Sequence, residues 1–430
     1  MRIATIALQI LLALFVSSAS AQNEEAWQKS ATADQLELVS IVQAYQRQQS
    51  ELLQRLREIK EPLEQLKAMR SDVTTAETAS VLIAFEAKRP GTDCGLLALR
   101  QVVMLTTQSN VEEAKSARKE AFRRLIDYAN HPLVTSAISS IEAGGIDPEA
   151  IACLRGLMIQ PQATPELKDF SQLQLSIRLT EPKFEAYFHR RRIAELDSGA
   201  QPKFVGEKQL HTERLAELPA DELLQQYEAQ GIELLKRLAQ SESNVYLPRF
   251  RRIDDMGTLL EVEARETASD SLAEQAKRQL FQLAHLRPTK SAPELEVELI
   301  DGKSWSLAEQ IEAGRVVIVH FSLKGCRPCE AMYPTFRKLH TQYGDRLAIL
   351  AVMNDSDRNK TVDAVESGKI TWSVMWDGRP GKVARQWGVT HFPTAWVIDR
   401  NGTIVDYNIG TVPLEEKIAT LIDASTERSR

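Results

Sequence analysis

The chain has 430 residues, more than a single hydrophobic core usually serves, so two or three domains are expected. Apolar residues make up 43% of the chain and charged residues 26%, which excludes a disordered protein and predicts globular domains. The net charge of −6 argues against nucleic acid or an anionic membrane surface as a partner.

The first 21 residues have the pattern of a secretory signal peptide. Arg2 supplies the basic start, Ile3 to Val16 form an apolar stretch, and Ala19-Ser20-Ala21 fits a cleavage site, so cleavage after Ala21 is predicted. The alternative is an uncleaved anchor, but the apolar stretch is short for a span of about 20 residues. No further membrane span is predicted. We therefore expect an exported protein, periplasmic or otherwise extracytoplasmic, in a compartment where disulfides can form.

Residues 22–287 are predicted to form a helical domain. Between residues 35 and 70, apolar side chains from Leu38 to Leu66 recur at heptad spacing, and Pro62 is expected to kink or split this run. One interpretation is a coiled-coil dimerisation arm. The other, which we favour, is an amphipathic helical hairpin packed on its own domain.

Further helices are expected along the rest of this domain. Asp147 and Thr164 each precede a proline, the order typical of an N-cap followed by the first helical residue. The segment from Glu181 to Arg192 is basic on one side and is predicted to be a solvated helix face. Helix pairs suggest a repeat-like solenoid, although no repeat of a named family is recognisable. The predicted helices cover residues 75–88, 95–107, 110–129, 147–158, 165–178, 181–196, 220–240 and 270–285.

The chain has four cysteines, and two of them, Cys94 and Cys153, lie in the helical domain. In an oxidising compartment a structural disulfide between them is the first interpretation. Two buried free thiols are the second. A redox relay to Cys326 is the third, and the sequence leaves all three open.

Pro288 and Pro293 lie in a short linker, and beyond it the helical pattern gives way to alternating and β-branched runs. We place the start of the second domain at residue 288. Asp301-Gly302 and Asn401-Gly402 are strong turn signals between strands. Alternating strands and helices predict a mixed sheet with helices on both faces. The predicted strands are Leu295–Ile300, Val316–Phe321, Leu347–Met353, Thr394–Ile398 and Thr403–Tyr407, and the predicted helices cover 328–343, 359–367, 380–387 and 414–426.

A dithiol, Cys326-Arg327-Pro328-Cys329, follows the predicted buried strand and opens a helix. At the start of a helix, unpaired backbone N–H groups stabilise a thiolate on Cys326, and Arg327 adds a positive charge. Cys329 lies one turn further on, where it can attack a mixed disulfide, and Pro328 stiffens the first turn. The alternatives are a purely structural disulfide or half of a zinc site. Zinc requires two more ligands at suitable spacing, and none is present, so no metal is predicted.

Pro393 follows Phe392 immediately before a predicted strand. Proline is the residue before which a cis peptide bond costs little. We expect Phe392-Pro393 to pack against the dithiol and to present backbone groups to an incoming extended peptide.

From about Pro293 to its end, the chain resembles the TlpA/ResA-like exported thiol–disulfide oxidoreductases of the thioredoxin superfamily. Redoxin and AhpC/TSA-like domain are names that also fit. The resemblance implies a thioredoxin fold, Cys326 as the attacking thiol, Cys329 as the resolving thiol, Pro393 as the cis proline, and no cofactor beyond the redox-active disulfide. It rests on Asp301-Gly302-Lys303, Trp305-Ser306-Leu307, the dithiol followed by Glu330-Ala331-Met332-Tyr333-Pro334, Phe392-Pro393-Thr394 and Ile398-Asp399-Arg400-Asn401-Gly402.

The chain departs from the family pattern at three positions. Gly325 stands where the family usually has Trp, and Met332 stands where a carboxylate is often found. His320 takes the place of an aspartate that thioredoxins bury. His320 is therefore interpreted either as a proton shuttle to Cys329 or as a merely packed histidine.

The predicted fold class is an α+β multi-domain protein, with an all-α N-terminal region followed by an α/β thioredoxin-like domain. The predicted function is an exported thiol–disulfide oxidoreductase, reductive or isomerising by family analogy. Its expected partners are protein thiols and disulfides and a separate electron donor, membrane-bound or exported. Two alternatives are a helical protein-binding scaffold with an accessory thioredoxin-like domain, and a thiol peroxidase. The peroxidase is disfavoured because a lone Cys after Pro-x-x-x-Thr-x-x is absent.

Overall fold

The computed structural model divides the chain into two compact units, Met1–Ala276 and Lys277–Arg430. This division falls inside a helix, Leu272–His285, ahead of the boundary predicted at residue 288. The predicted signal peptide lies outside the described residues. The structure describes residues 31–107, 109–139, 146–199, 201–202, 204–241, 252–253, 259–260, 271–379, 381–389, 391–407 and 411–423.

The first unit is mainly helical, with a 3₁₀ turn at Ile126–Tyr128 and a short antiparallel strand pair, β1 and β2. None of the described helices is long and apolar enough to cross a membrane. The elements are α1 Ala33–Leu56, α2 Pro62–Arg70, α3 Val73–Ala87, α4 Asp93–Thr106, α5 Glu112–Leu125, α6 Val134–Ser139, α7 Pro148–Ile159, α8 Pro165–Asp197, α9 Glu207–Ala216, α10 Asp221–Gln240, β1 Arg252–Ile253, β2 Leu259–Leu260 and α11 Leu272–His285.

The heptad-spaced segment forms two helices that pack within their own unit. The predicted split at Pro62 is confirmed, because α1 ends at Leu56 and Pro62 is the first residue of α2. The apolar stripe of α1 is buried at Leu38 and Leu52, and α1 packs on α3 and α4. This packing supports the helical hairpin rather than the coiled-coil arm.

The N-caps predicted at Asp147 and Thr164 are confirmed, since each side chain accepts a hydrogen bond from the first turn of its helix. The prediction of two helices over 165–178 and 181–196 is wrong, because α8 is continuous and holds Pro182 inside it. Proline removes one intrahelical hydrogen bond. Burial on both sides of Pro182 and packing against α7, α9 and α10 keep the helix intact.

The helix face predicted to be solvated between Glu181 and Arg192 carries buried polar side chains. Arg192 donates to both carboxylate oxygens of Glu207, at 2.9 and 3.0 Å, and Glu207 is only 2% exposed. The Nδ1 atoms of His189 and His211 lie 2.7 Å apart in a buried hydrogen bond. The prediction was wrong for this part of α8 because α9 folds back over it.

The second unit contains a small antiparallel hairpin and a five-stranded mixed sheet. Its turn predictions are confirmed: Asp301-Gly302 lies between β3 and β4, and Asn401-Gly402 lies between β8 and β9. Following α11, the elements are β3 Glu296–Glu298, β4 Ser304–Ser306, α12 Leu307–Glu312, β5 Val316–Ser322, α13 Arg327–Glu330, α14 Tyr333–Tyr343, β6 Leu347–Met353, α15 Arg358–Glu366, β7 Ser373–Trp376, α16 Lys382–Gln386, β8 Thr394–Ile398, β9 Ile404–Tyr407 and α17 Thr411–Asp423.

The large sheet has the strand order β7-β6-β5-β8-β9. Strands β5, β6 and β7 are parallel, whereas β8 and β9 are antiparallel to their neighbours, so the predicted mixed sheet is confirmed. Strand β7, an edge strand of four residues, was not among the predicted strands. The turn dipeptide Asp377-Gly378 directly after it was the available signal.

Two apolar cores cover the two faces of this sheet. On one face, Val316 and Ile318 of β5 pack with Phe336 of α14 and Ile418 of α17. On the other face, the intervening residues of β5 pack with Trp387 and with residues of the β3–β4 hairpin. Strand β5 is thereby buried along its whole length and fixed between β6 and β8.

We predict that Gly231→Ala destabilises the helical unit by about 2 kcal/mol, because the contact between α10 and α8 is too close for a side chain. A Cβ at Gly231 would lie 2.9 Å from the carbonyl oxygen of Ser176 and 2.7 Å from the Thr180 methyl group. Thermal unfolding of the full chain, followed by circular dichroism, measures the change.

The matched control is Gly156→Ala, another glycine inside a helix. The three atoms nearest its Cβ would all belong to the side chain of Ile126, the nearest being Cδ1 at 2.6 Å, and this side chain can rotate away. Equal destabilisation by both variants would contradict a rigid backbone contact at Gly231.

Candidate active site

The dithiol lies at the end of the buried central strand. Strand β5 ends at Ser322, three residues form a loop, and Cys326 is the N-cap of the one-turn helix α13. Cys326 and Cys329 form a disulfide, with the sulfurs 2.11 Å apart. The Cys329 backbone N–H also points at the Cys326 Sγ, at 3.4 Å. The fold thus aims a hydrogen-bond donor at the sulfur of Cys326.

The two sulfurs differ in their access to solvent. Cys326 is half-buried, whereas Cys329 has no exposed surface. A partner's sulfur can therefore approach Cys326 but not Cys329. Since thiol–disulfide exchange requires direct contact between sulfurs, this asymmetry favours Cys326 as the attacking thiol and Cys329 as the resolving one.

The two residues between the cysteines are exposed. Pro328 lies in the first turn of α13, where its missing N–H costs no hydrogen bond. Among the described residues, Arg327 forms no ion pair, so its charge is free to act on the adjacent sulfur or on a ligand.

Two carboxylates hold the loop in front of Cys326. The Lys324 N–H donates to Asp355 Oδ1 at 3.0 Å, and the Gly325 N–H donates to Glu330 Oε1 at 3.0 Å. The second hydrogen bond holds the pKa of Glu330 below its usual range, with help from Lys369. Gly325 has a φ of +83°, where a side chain is strained, so glycine suits the position that the family gives to tryptophan.

His320 lies in the middle of β5 and is fully buried. Its ring packs on Phe336, with centroids 4.7 Å apart, and edge-on to Tyr333 at 6.2 Å. Neither ring nitrogen has a hydrogen-bond partner among the described residues. Burial lowers the pKa of His320 to about 3, so the ring is neutral at physiological pH.

This environment favours the packed histidine over the proton shuttle. A thiol has a pKa near 8.5, so an imidazole with a pKa near 3 is a very weak acceptor for its proton. Removal of a buried, unpartnered imidazole should then be tolerated by the exchange chemistry.

The predicted Phe392-Pro393 pair lies beside the same strand end. Its peptide bond is cis, and both residues are half-buried. Thr394 starts β8 and pairs in register with Phe321 near the end of β5. The sheet therefore brings Pro393 to the edge from which the dithiol loop emerges.

The disulfide expected between Cys94 and Cys153 is not formed: both are buried free cysteines. Cys94 lies in the first turn of α4 and Cys153 in the middle of α7, and α5 packs against both helices. Burial raises the pKa of both thiols, that of Cys153 to about 12. The structure thus matches the second interpretation, two inert buried thiols.

No sequence pattern pointed to Asp355 or Trp376, and Glu330 was noted only as part of the motif after the dithiol. Asp355 lies two residues after the end of β6 and Trp376 is the last residue of β7, so both are at the edge of the sheet where the parallel strand β5 also ends. The sequence feature that could have indicated these two residues is their position, because Asp355 follows an apolar run and Trp376 ends one. No cluster of three or more metal-ligating side chains occurs within the described part of the chain.

The second unit is similar to proteins of a known family. Residues 288–407 match the model of the AhpC/TSA family. The thioredoxin-like protein YneN of Bacillus subtilis is 28% identical over 131 residues, which cover 30% of this chain and 74% of that protein. The thiol-disulfide oxidoreductase ResA of Bacillus thuringiensis is 27% identical, over 30% of this chain and 72% of that protein.

Solved structures give matches of the same extent. The crystal structure of a putative thiol:disulfide interchange protein DsbE from Chlorobium tepidum has 23% identity and a TM-score of 0.29, and the match covers 31% of this chain and 97% of that one. The predicted fold class is confirmed in outline: the N-terminal region is mostly helical, with one short strand pair, and an α/β thioredoxin-like domain follows it. The resemblance of the second unit to thiol–disulfide oxidoreductases is also confirmed.

We predict that His320→Leu flattens the pH dependence of stability. The unfolded histidine binds a proton below about pH 6.5 and the buried one does not, so wild type loses stability as the pH falls below that value. Between pH 7 and pH 5 the variant should lose about 2 kcal/mol less than wild type. Five of the six tryptophans lie in the second unit, so denaturant titrations followed by tryptophan fluorescence report on it.

The same variant separates the two interpretations of His320. A packed histidine predicts that His320→Leu keeps its rate of disulfide exchange within a few fold of wild type at pH 7. Loss of exchange with an unchanged pH dependence of stability would be the opposite result and would favour proton transfer.

Proposed function

We propose that this protein, whose residues 288–407 form an AhpC/TSA-family domain, is a thiol–disulfide oxidoreductase that acts through Cys326 and Cys329. The observation that carries the proposal is the pairing of a half-buried Cys326 with a buried Cys329 at the start of α13. The names of the relatives YneN and ResA support the same chemistry.

The exchange proceeds in two displacements. In the reduced protein, the Cys326 thiolate attacks one sulfur of a substrate disulfide, and the other substrate sulfur leaves as a thiolate that takes a proton. Cys329, deprotonated in its turn, attacks the Cys326 Sγ and releases the second substrate thiol. The substrate gains two electrons and two protons, and the protein is left with the Cys326–Cys329 disulfide.

Three groups act on the Cys326 thiolate. The Cys329 N–H lies 3.4 Å from the sulfur and stabilises negative charge there. Arg327 adds an exposed positive charge next to it. The nearest acidic residue in the sequence, Glu330, is bound to the Gly325 N–H and to Lys369, which offsets its repulsion of the thiolate. The Cys329 N–H and the Arg327 charge both stabilise the thiolate form of Cys326.

We propose protein disulfides as substrates and a separate dithiol reductant as electron donor, because each turnover leaves the protein oxidised. Export is proposed from the pattern ending at Ala19-Ser20-Ala21, with the donor exported or membrane-bound. We propose exchange rather than peroxide reduction, since the resolving thiol is three residues from the attacking one and the lone-cysteine motif is absent.

We predict that Cys326→Ser reduces insulin, with dithiothreitol as donor, no faster than dithiothreitol alone. Serine has no thiolate, so the first displacement cannot occur. Turbidity from the insulin B chain measures the rate. Cys94→Ala is the control, because it removes a buried thiol outside the site and should keep the wild-type rate. Wild-type activity in Cys326→Ser would refute the proposal.

Cys329→Ser should stop the reaction after the first displacement. We expect it to accumulate a mixed disulfide between Cys326 and its substrate, visible on non-reducing gels and removed by dithiothreitol. The double variant Cys326→Ser/Cys329→Ser should trap nothing. Equal trapping by the single and double variants would show that the adducts form at another cysteine.

A further inference from the structure

One edge of the large sheet carries the dithiol, the cis proline and an exposed tryptophan. In the parallel part of the sheet, Ser322 of β5 is level with Met353 of β6, which is level with Trp376 of β7. Strand β8 runs the other way and begins beside the same end of β5. Trp376 therefore lies on the opposite side of the dithiol from Pro393.

Trp376 is anchored to the residue that also holds the dithiol loop. Its indole N–H donates to the Asp355 carbonyl oxygen at 2.8 Å, and the Asp355 carboxylate accepts the Lys324 N–H at 3.0 Å. The carboxylate is itself fixed by the Thr361 hydroxyl, at 3.0 Å. Two hydrogen bonds to one buried residue thus connect the indole to a loop residue two positions before Cys326.

The indole is fixed but not covered. Trp376 is 38% exposed, whereas its strand neighbours Val374 and Met375 are buried in the two cores. A Cβ at Gly378 would lie 3.3 Å from the indole Cζ2, so the chain turns closely against one side of the ring. A single exposed apolar side chain is common on protein surfaces. An aromatic ring held by a hydrogen bond at the same sheet edge as a reactive sulfur offers a binding surface at little entropic cost.

We infer that Trp376 is a specificity-determining contact for the substrate: an extended segment of a disulfide-bonded protein lays a large apolar or aromatic side chain on the indole. The inference rests on the proposed function, since the chemistry at Cys326 requires a cysteine-bearing chain at this edge. Neighbouring strands lie about 4.8 Å apart, so β7 is about 10 Å from β5. An extended peptide advances about 3.3 Å per residue, which puts the contacting side chain about three residues from the reacting cysteine.

Two of the three basic side chains near the dithiol are already paired with carboxylates. Lys324 is paired with Asp363 at 2.9 Å and Lys369 with Glu330 at 3.4 Å. Arg327 is exposed and, among the described residues, has no ion pair. An acidic residue next to the substrate cysteine would supply its partner, and that pair would favour encounter most at low ionic strength.

The test uses peptides whose single cysteine is linked as a mixed disulfide to thionitrobenzoate. One peptide has alanine flanks, and the others carry a tryptophan at one position from four residues before the cysteine to four residues after it. The reduced full-length protein attacks the peptide, and absorbance of the released chromophore gives the rate constant. We expect a tryptophan three residues from the cysteine, on one side, to raise the wild-type rate constant about tenfold over alanine flanks.

In Trp376→Ala this preference should disappear, and Trp376→Phe should restore part of it. Phe188→Ala, which removes an exposed aromatic ring in the helical unit, is the matched control and should keep the wild-type preference. The unsubstituted aromatic disulfide 5,5′-dithiobis(2-nitrobenzoate) checks the chemistry, and all variants should react with it at the wild-type rate.

The outcomes separate the inference from the function on which it rests. An unchanged peptide preference in Trp376→Ala, with normal reaction with the small disulfide, would overturn the role of Trp376. Failure of the reduced wild-type protein to attack either kind of disulfide would overturn the proposed function. A loss of reaction with the small disulfide in both Trp376 variants would show that the indole acts on the dithiol loop instead, and would also overturn the inference.

Discussion

Strand β5 is hydrogen-bonded along both edges and buried along its whole length, and the position of every candidate active-site group follows from where this strand ends. Its run of β-branched and aromatic residues cannot be placed at the surface without exposing a large apolar area. The dithiol follows its last residue by only three loop residues, so the reactive sulfur is held at the sheet edge by the core itself.

The loop between strand and dithiol depends on main-chain contacts rather than on a large side chain. Asp355 and Glu330 accept the N–H groups of Lys324 and Gly325, and the backbone of Gly325 takes a left-handed conformation. A hydrogen bond to a carboxylate is stronger than one between neutral groups. Two such bonds on adjacent residues therefore help to fix the loop in front of Cys326. Asp355 also fixes Trp376, so the reactive loop and the adjacent surface share one anchor.

In the helical unit, packing buries charged residues that the sequence pattern predicted to be solvated. Between Glu181 and Arg192 the residue types suit a solvated face, yet Arg192 and His189 are buried against α9. The cost of burying Arg192 is offset by two hydrogen bonds to Glu207, a residue fifteen positions later. The periodicity of residue types describes a single helix. It cannot show that the carboxylate that pairs with Arg192 lies on another helix, α9.

The sequence by itself determined the elements whose signal is local. The helix starts at Asp147 and Thr164, the two turn dipeptides, the buried strand β5 and the dithiol after it all follow from residue types at short spacing. Only the tertiary structure decided which groups surround that dithiol. Register across parallel strands brought Asp355 and Trp376 to the edge of the sheet beside it, and helix packing kept Cys94 and Cys153 apart as buried thiols. The physical reason is that strand register and helix packing join residues far apart in the chain, and no local pattern encodes those distances.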